Sequence, residues 1–260
     1  MRILEAFLGT NSVGPSDARD LNGDGQIDSS DLQILLSLCG LACSRVADST
    51  PPVTTASASP NPNDNGWNNT NVTISLNSTD NEPGGTGVKQ IQWSVAGAQV
   101  GSSTVPGSTT TVTISAEGTT VLTYFGTDSA GNIETAKSIT VKIDRTPPVI
   151  TASANPPVLW PPNAKMVNVA VSGMMADTLS GVNSSTAAFA VKDAYGLVQP
   201  SGPVNVTANG TYSFTISLEA RRDGQDMNGR LYTITVNAKD NAGNAGSATT
   251  TVIVPHDRAN

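Results

Sequence analysis

Two segments of this chain recur at a single offset of 96 residues. Asp48-Ser-Thr-Pro-Pro-Val53 returns as Asp144-Arg-Thr-Pro-Pro-Val149, and Thr55-Ala-Ser-Ala58 returns as Thr151-Ala-Ser-Ala154. A third marker near the end of each unit, Asp128-Ser-Ala-Gly-Asn132, comes back as Asp240-Asn-Ala-Gly-Asn244. A repeat of about 100 residues is too long for a solenoid turn and matches an independent domain. Paired prolines stiffen the chain and cannot continue a sheet, so the boundaries fall at the Thr-Pro-Pro segments. This divides the 260 residues into an amino-terminal element over 1–47, a first domain over 48–146 and a second over 147–260.

Within each domain apolar residues alternate with polar ones, the period of a half-buried strand. In the first, Val72, Ile74 and Leu76 share one face, as do Ile91, Trp93 and Val95; Val112 with Ile114, Leu122 with Tyr124, and Ile139, Val141 and Ile143 follow. The second repeats the pattern with Val167, Val169 and Val171, then Tyr212, Phe214, Ile216 and Leu218, then Tyr232, Ile234, Val236 and Ala238, and closes on Val252 and Val254. Gly and Asn clusters separate the runs, and about seven short strands per 100 residues predict an immunoglobulin-like sandwich. Only 13% of residues are charged and 4% aromatic, which excludes a helical bundle.

The amino-terminal element carries a different signal. Asp20 to Asp31 reads DLNGDGQIDSSD. It places Asp20, Asn22 and Asp24 at calcium-loop positions 1, 3 and 5, Gly25 at the sharp turn of position 6, the Gln26 carbonyl at 7, Asp28 at 9 and Asp31 at 12. Alternate positions of a tightly curled loop bring several oxygens to one point, as Ca²⁺ requires. Ser29 or Ser30 then caps a predicted amphipathic helix with Leu32, Leu35, Leu36 and Leu38 on its apolar side.

An acidic loop that ends in Asp and opens directly into a helix resembles one repeat of a dockerin, with MRILEAFLG at Met1–Gly9 similar to the helix of a first repeat that lacks its loop. The resemblance implies calcium-dependent folding and docking on a cohesin-like β-sandwich, with Ser29, Ser30, Leu32 and Leu36 at the contact. Residues 48–260 resemble bacterial immunoglobulin-like domains of secreted multidomain proteins through GWNNTNVTISL, EGTTVLTYFGTD and SAGN in the first domain and PPVLWPPNAKM and DGQDMNGRLYTITVNAKDNAGN in the second. The expected fold class is therefore mostly β: two tandem sandwiches preceded by a small α-helical, EF-hand-like calcium element.

The remaining features are weighed in the same way. Cys39 and Cys43 lack the partners of a zinc site, and a local disulfide is expected of an exported chain, free thiols being the alternative. Trp93 reads as core packing, whereas Trp67 and Trp160 lie outside strands and are the residues a sugar would need, Trp67 being the more accessible in this reading. The two Asp-x-Ala-Gly-Asn segments read as hairpin turns; alternatively Asp48 and Asp144 join Asp128 and Asp240 in calcium sites between domains. Asp223-Gly-Gln-Asp-Met-Asn-Gly229 misses the alternate-position spacing and reads as a surface turn.

The sole histidine, His256, lies near the chain end, and no phosphate loop or paired catalytic carboxylates emerge, so no enzyme is expected. A net charge of −7 offers no basic stripe for nucleic acid, and no segment is long enough to enter a membrane. No export signal leads the chain, which opens inside a presumed helix and reads as a fragment or processed form. The expectation is a non-catalytic extracellular or cell-surface module that binds Ca²⁺ and a protein partner, either a cohesin-like sandwich or another copy of itself. The alternatives are a self-assembling filament or surface layer and a carbohydrate or matrix adhesin.

Overall fold

A computed structural model describes residues 48–80 and 85–257, together with Leu21, Gln26, Ser30, Asp31, Gln33 and Ile34. Two compact units divide the chain: Met1–Thr50 with Asn81–Thr86, and Pro51–Asp80 with Gly87–Asn260. The second unit contains both sandwiches and is built only of strands.

The expected α-helical component of the fold is corrected. All named elements are β-strands, and helical backbone among the described residues is confined to Ser30, Asp31, Gln33 and Ile34. Those four residues span under two turns, too little to count as an element of the fold. Asp20, Asn22, Asp24, Asp28, Ser29, Leu32, Leu36, Cys39 and Cys43 lie outside the described residues, as does Met1–Gly9.

The first sandwich pairs β1 (Val53–Ser59), β2 (Val72–Thr79) and β5 (Thr109–Ile114) in one sheet, in the order β1-β2-β5. Its second sheet runs β4 (Gly101–Pro106), β3 (Val88–Gly97), β6 (Gly118–Asp128), β7 (Lys137–Ile143). The second sandwich repeats this plan. Strands β8 (Val149–Ile150) and β9 (Ser153–Asn155) both pair with β10 (Met166–Ala176), which pairs with β13 (Thr211–Glu219). Facing them, β12 (Ser201–Pro203), β11 (Val182–Asp193), β14 (Arg230–Asp240) and β15 (Ala245–Val254) form the other sheet in that order. Every pairing between these strands is antiparallel, and two facing sheets of three and four strands in the first domain and of four and four in the second make immunoglobulin-like sandwiches.

Each sandwich has its own core, formed by the inward positions of both sheets. Ile74, Leu76 and Ile114 meet Ile91, Leu122 and Ile143 in the first; Val169, Val171 and Leu218 meet Tyr232, Ile234, Val236 and Val252 in the second. Trp93 packs partly buried against the first core. The alternating residues that marked strands in the sequence are thus the ones that left water, each worth on the order of 1.5–3 kcal/mol when fully buried. Where β10 passes Thr151, a Cβ on Gly173 would lie 1.9 Å from the Thr151 carbonyl oxygen. Only glycine lets these backbones approach so closely.

Each sandwich also carries one charged clamp. In the first, the buried Glu134 carboxylate accepts from Thr54 N at 2.9 Å on β1 and Gly126 N at 3.0 Å on β6, so it fastens one sheet to the other. Lys137 completes the group, 2.5 Å from Glu134 and 2.8 Å from the Thr54 carbonyl. In the second, Arg230 is fully buried and grips Asp193 with two bonds of 2.9 and 2.6 Å and Glu219 with one of 2.8 Å. Its guanidinium lies 5.0 and 4.8 Å from the rings of Tyr195 and Tyr232, close enough for cation–π attraction on both. Asp193 further accepts from the N–H groups of Tyr195, Leu197 and Val198.

Burial opposes ionisation of both carboxyls. Arg230 and the surrounding N–H groups outweigh it at Asp193, and Lys137 with Thr54 and Gly126 outweighs it at Glu134, so both are held below the ordinary carboxylate range. Burial also pushes the Tyr232 phenol up to about 12. A carboxyl with a lowered folded pKa contributes stability that is complete above its unfolded pKa of about 4 and is lost as the pH falls through the folded value. Thermal melting is therefore expected to be level from about pH 5 to 8 and to fall steeply below about pH 4. Calorimetry of Asp193→Ala at neutral pH should show a loss of roughly 3–5 kcal/mol, because Arg230 is left buried without its main partner.

Candidate cation sites

The inward register of a strand continues to its last residue, and in β14 that residue is Asp240. Inward positions Tyr232, Ile234, Val236 and Ala238 lead to an aspartate that is 1% exposed. Its Oδ1 accepts from Gly243 N at 2.6 Å and Asn244 N at 2.9 Å, and its Oδ2 accepts from Asn244 Nδ2 at 2.7 Å. Gly243, at φ +99°, supplies the left-handed residue the turn needs. Asp128 closes β6 in the same manner, accepting from Gly131 N, Asn132 N and Asn132 Nδ2 at 2.7, 2.8 and 2.8 Å. The repeated Asp-x-Ala-Gly-Asn motif is therefore a hairpin turn tied by its own aspartate.

The same aspartate takes part in a larger group. Asp144, fully buried in the linker, accepts from Thr146 N at 3.0 Å and Ser180 N at 3.0 Å. Asp177, half-buried just beyond β10, accepts from Leu179 N at 3.1 Å and Gly181 N at 2.6 Å. Oxygens of Asp144, Asp177 and Asp240 all lie within 4.8 Å of one another. At an effective dielectric of 20, two carboxylates at such a separation repel by on the order of 3–4 kcal/mol. None of the ion pairs among the described residues involves any of the three.

This group lies where the two sandwiches meet. Asn63 and Asn65 of the first donate to the Asn241 carbonyl at 2.8 and 3.2 Å, and Asn244 Nδ2 donates to the Asp144 carbonyl at 2.9 Å. The next linker residue is anchored the other way. Arg145 bonds Glu117, Asn71 and the Ser115 carbonyl, all in the first sandwich. The side chains of adjacent linker residues thus engage different sandwiches, while Asp144 N also donates to the Asn68 carbonyl of the first at 2.9 Å, and the junction has little slack.

The first sandwich contains the counterpart pair. Asp80 and Asp128 oxygens also come within 4.8 Å, Asp80 Oδ2 accepts from Gly87 N at 2.8 Å, and Asp80 Oδ1 is enclosed with no hydrogen-bond donor among the described residues. In the amino-terminal unit Asp48 accepts from Thr50 N at 3.1 Å and from Thr86 N and Oγ1 at 2.9 and 2.8 Å. Also in that unit, the buried Asp31 takes the N–H of Leu21 at 2.7 Å, across ten residues. Gln26 and Ser30 are exposed there.

Sequence reasoning thus paired Asp144 with Asp240 but missed Asp177, which sits in no repeated motif; its signal was only a lone acid directly after the β10 pattern. The tryptophans also differ from expectation. Trp160 is 41% exposed, while Trp67 is half-buried under Lys142, whose Nζ is 5.7 Å from the ring centre. No helix among the described residues is long and apolar enough to cross a membrane.

No protein-family model matches the chain, and no curated protein matches it. Among solved structures it is similar to the fibronectin(III)-like modules of Clostridium thermocellum CbhA, at 17% identity and a TM-score of 0.34, over 78% of this chain and 94% of that one. The D00-D0 domain of intimin gives 10% identity and a TM-score of 0.31, over 77% of this chain and 98% of that one. A red sea bream transglutaminase gives 12% and 0.29, over 88% of this chain but 34% of the enzyme. The immunoglobulin-like assignment stands on the strand pairing above.

Asp128→Ala removes the carboxylate that accepts from Gly131 N, Asn132 N and Asn132 Nδ2 at the end of β6. A loss of about 2 kcal/mol or more in denaturant unfolding is expected, against under 1 kcal/mol for Asp128→Asn.

Proposed function

We propose that the chain is a non-catalytic extracellular structural or adhesive module whose sandwich junction is stiffened by Ca²⁺. The observation that carries this reading is the convergence of Asp144, Asp177 and Asp240, two of them fully enclosed, at the point where the linker meets both sandwiches. Hard oxygens brought together without a cationic side chain suit a hard cation, which completes its six to eight ligands with carbonyls and water. A cation here joins the linker, the loop after β10 and the end of β14, and so removes the like-charge repulsion among them. Binding to the folded chain alone then stabilises it by mass action.

The acidic loop from Asp20 to Asp31 is proposed as a separate Ca²⁺ site, supported by its full set of ligand positions and by the inward placement of Asp31. Extracellular calcium modules typically bind with dissociation constants of about 0.1–1 mM.

Calorimetric titration of the chelator-treated chain is expected to show Ca²⁺ uptake at two classes of site, with a higher melting temperature in millimolar calcium. Asp240→Asn keeps the shape of the turn and should remove one class; Asp24→Ala should remove the other. A wild-type chain that takes up no calcium, or uptake that both variants leave unchanged, refutes the proposal.

A further inference from the structure

Strand β13 alternates in strict period 2, with Tyr212, Ile216 and Leu218 buried and Ser213, Thr215 and Ser217 exposed. Its one charge, on Glu219, is taken up by Arg230 at 2.8 Å. The strand pairs residue for residue with β10 and ends its sheet. An edge strand carries a row of unpaired N–H and C=O groups, which natural sheets blunt by shortness, lysine, proline, a bulge or a cover. The other edges of the two sandwiches have such a device. Strands β8 and β9 are two and three residues long, β4 and β12 end in proline, and β7 has lysines at positions 137 and 142. Gln99 Nε2 caps the Thr113 carbonyl of β5 at 2.9 Å, Glu134 takes Thr54 N of β1, and the Pro157 carbonyl takes Ile253 N of β15.

On β13 only the first residues are covered, where Val206 bridges to Tyr212 and Thr207 N donates to the Thr211 carbonyl at 2.9 Å. That bond sets the phase of the edge. Thr211 points its carbonyl away from β10, and by the alternation of an antiparallel ladder Thr215 and Ser217 point their N–H and C=O groups the same way. Ala220 agrees from the other side, since its N–H reaches the Lys165 carbonyl, just ahead of β10, at 2.8 Å. Among the described residues, no hydrogen bond outside the strand ladder reaches Thr215 or Ser217.

We infer that this edge is a self-association site, to which a second copy of the chain adds its own β13 antiparallel across a two-fold axis at Ile216. At that register Thr215 of one copy faces Ser217 of the other, and each such pair exchanges both of its N–H···O bonds. Phe214 meets Leu218 and Ile216 meets its own copy, which extends the core face, while the Thr215 and Ser217 hydroxyls extend the polar face. A slip of one residue would set apolar against polar along the whole strand. The contact is isologous, brings no like charges together, and draws nothing from the junction cation.

Sedimentation of the full chain over a concentration series, in calcium and in chelator, should show a reversible monomer–dimer equilibrium in both. Ser217→Pro removes an N–H that the single chain does not use, on an edge where proline is tolerated. It should raise the dimer dissociation constant about tenfold or more with the melting temperature of the dilute chain little changed. Oxidative cross-linking tests the register and decides alone should the proline variant melt early. Thr215→Cys mixed with Ser217→Cys should form a disulfide-linked heterodimer, because the Cα atoms of a hydrogen-bonded pair lie about 5.5 Å apart, within disulfide reach. Either variant by itself should give no more than the background that Cys39 and Cys43 produce in wild type. A chain that stays monomeric at every concentration overturns the inference, as does a dimer that a folded Ser217→Pro chain retains, or a mixture that cross-links no better than its components.

Discussion

A carboxylate carried inward, by the register of a strand or by the loop that follows it, has to be met by donors or by positive charge, and both sandwiches are organised around that demand. Glu134 is met by two backbone N–H groups and Lys137, and so pins β1 to β6. Asp193 is met by Arg230 and three N–H groups. Asp128 and Asp240 are met by the turns they terminate. Burial of a charge is costly unless it is paired and hydrogen-bonded, so each of these groups fixes a specific loop geometry. The apolar cores make the sandwiches stable, but the carboxylates determine which turn and which linker conformation go with them.

The junction follows from the same demand. Asp144 faces the second sandwich while Arg145 faces the first, so the linker is held from both sides by short-range bonds. The Asp144, Asp177 and Asp240 group differs from the Glu134 and Asp193 clamps in having several hydrogen-bond donors but no cationic side chain. That difference is the physical basis of the cation proposed there.

Much of the fold was legible because its determinants are local. Val72, Ile74 and Leu76 announce a strand wherever they occur, and the Thr-Pro-Pro segments interrupt sheets for steric reasons that need no context. The inward register extends to Arg230, two positions before Tyr232, and to Asp240, two after Ala238, although the apolar pattern stops short of both. Strands β4 and β12 were not legible, since Gly101–Pro106 and Ser201–Pro203 carry little apolar pattern and exist by pairing with a neighbour. Of the expected helical segment only Ser30, Asp31, Gln33 and Ile34 are described, and they form no named element.

By itself, then, the sequence determined the repeat, the strand-forming registers and the turn residues, because each depends on the steric and hydrophobic character of residues a few positions apart. Tertiary structure alone decided which acids share a space. Asp144, Asp177 and Asp240 are separated by 33 and 63 residues along the chain, and only the folding of a linker, a loop and a strand end onto one another brings their oxygens together.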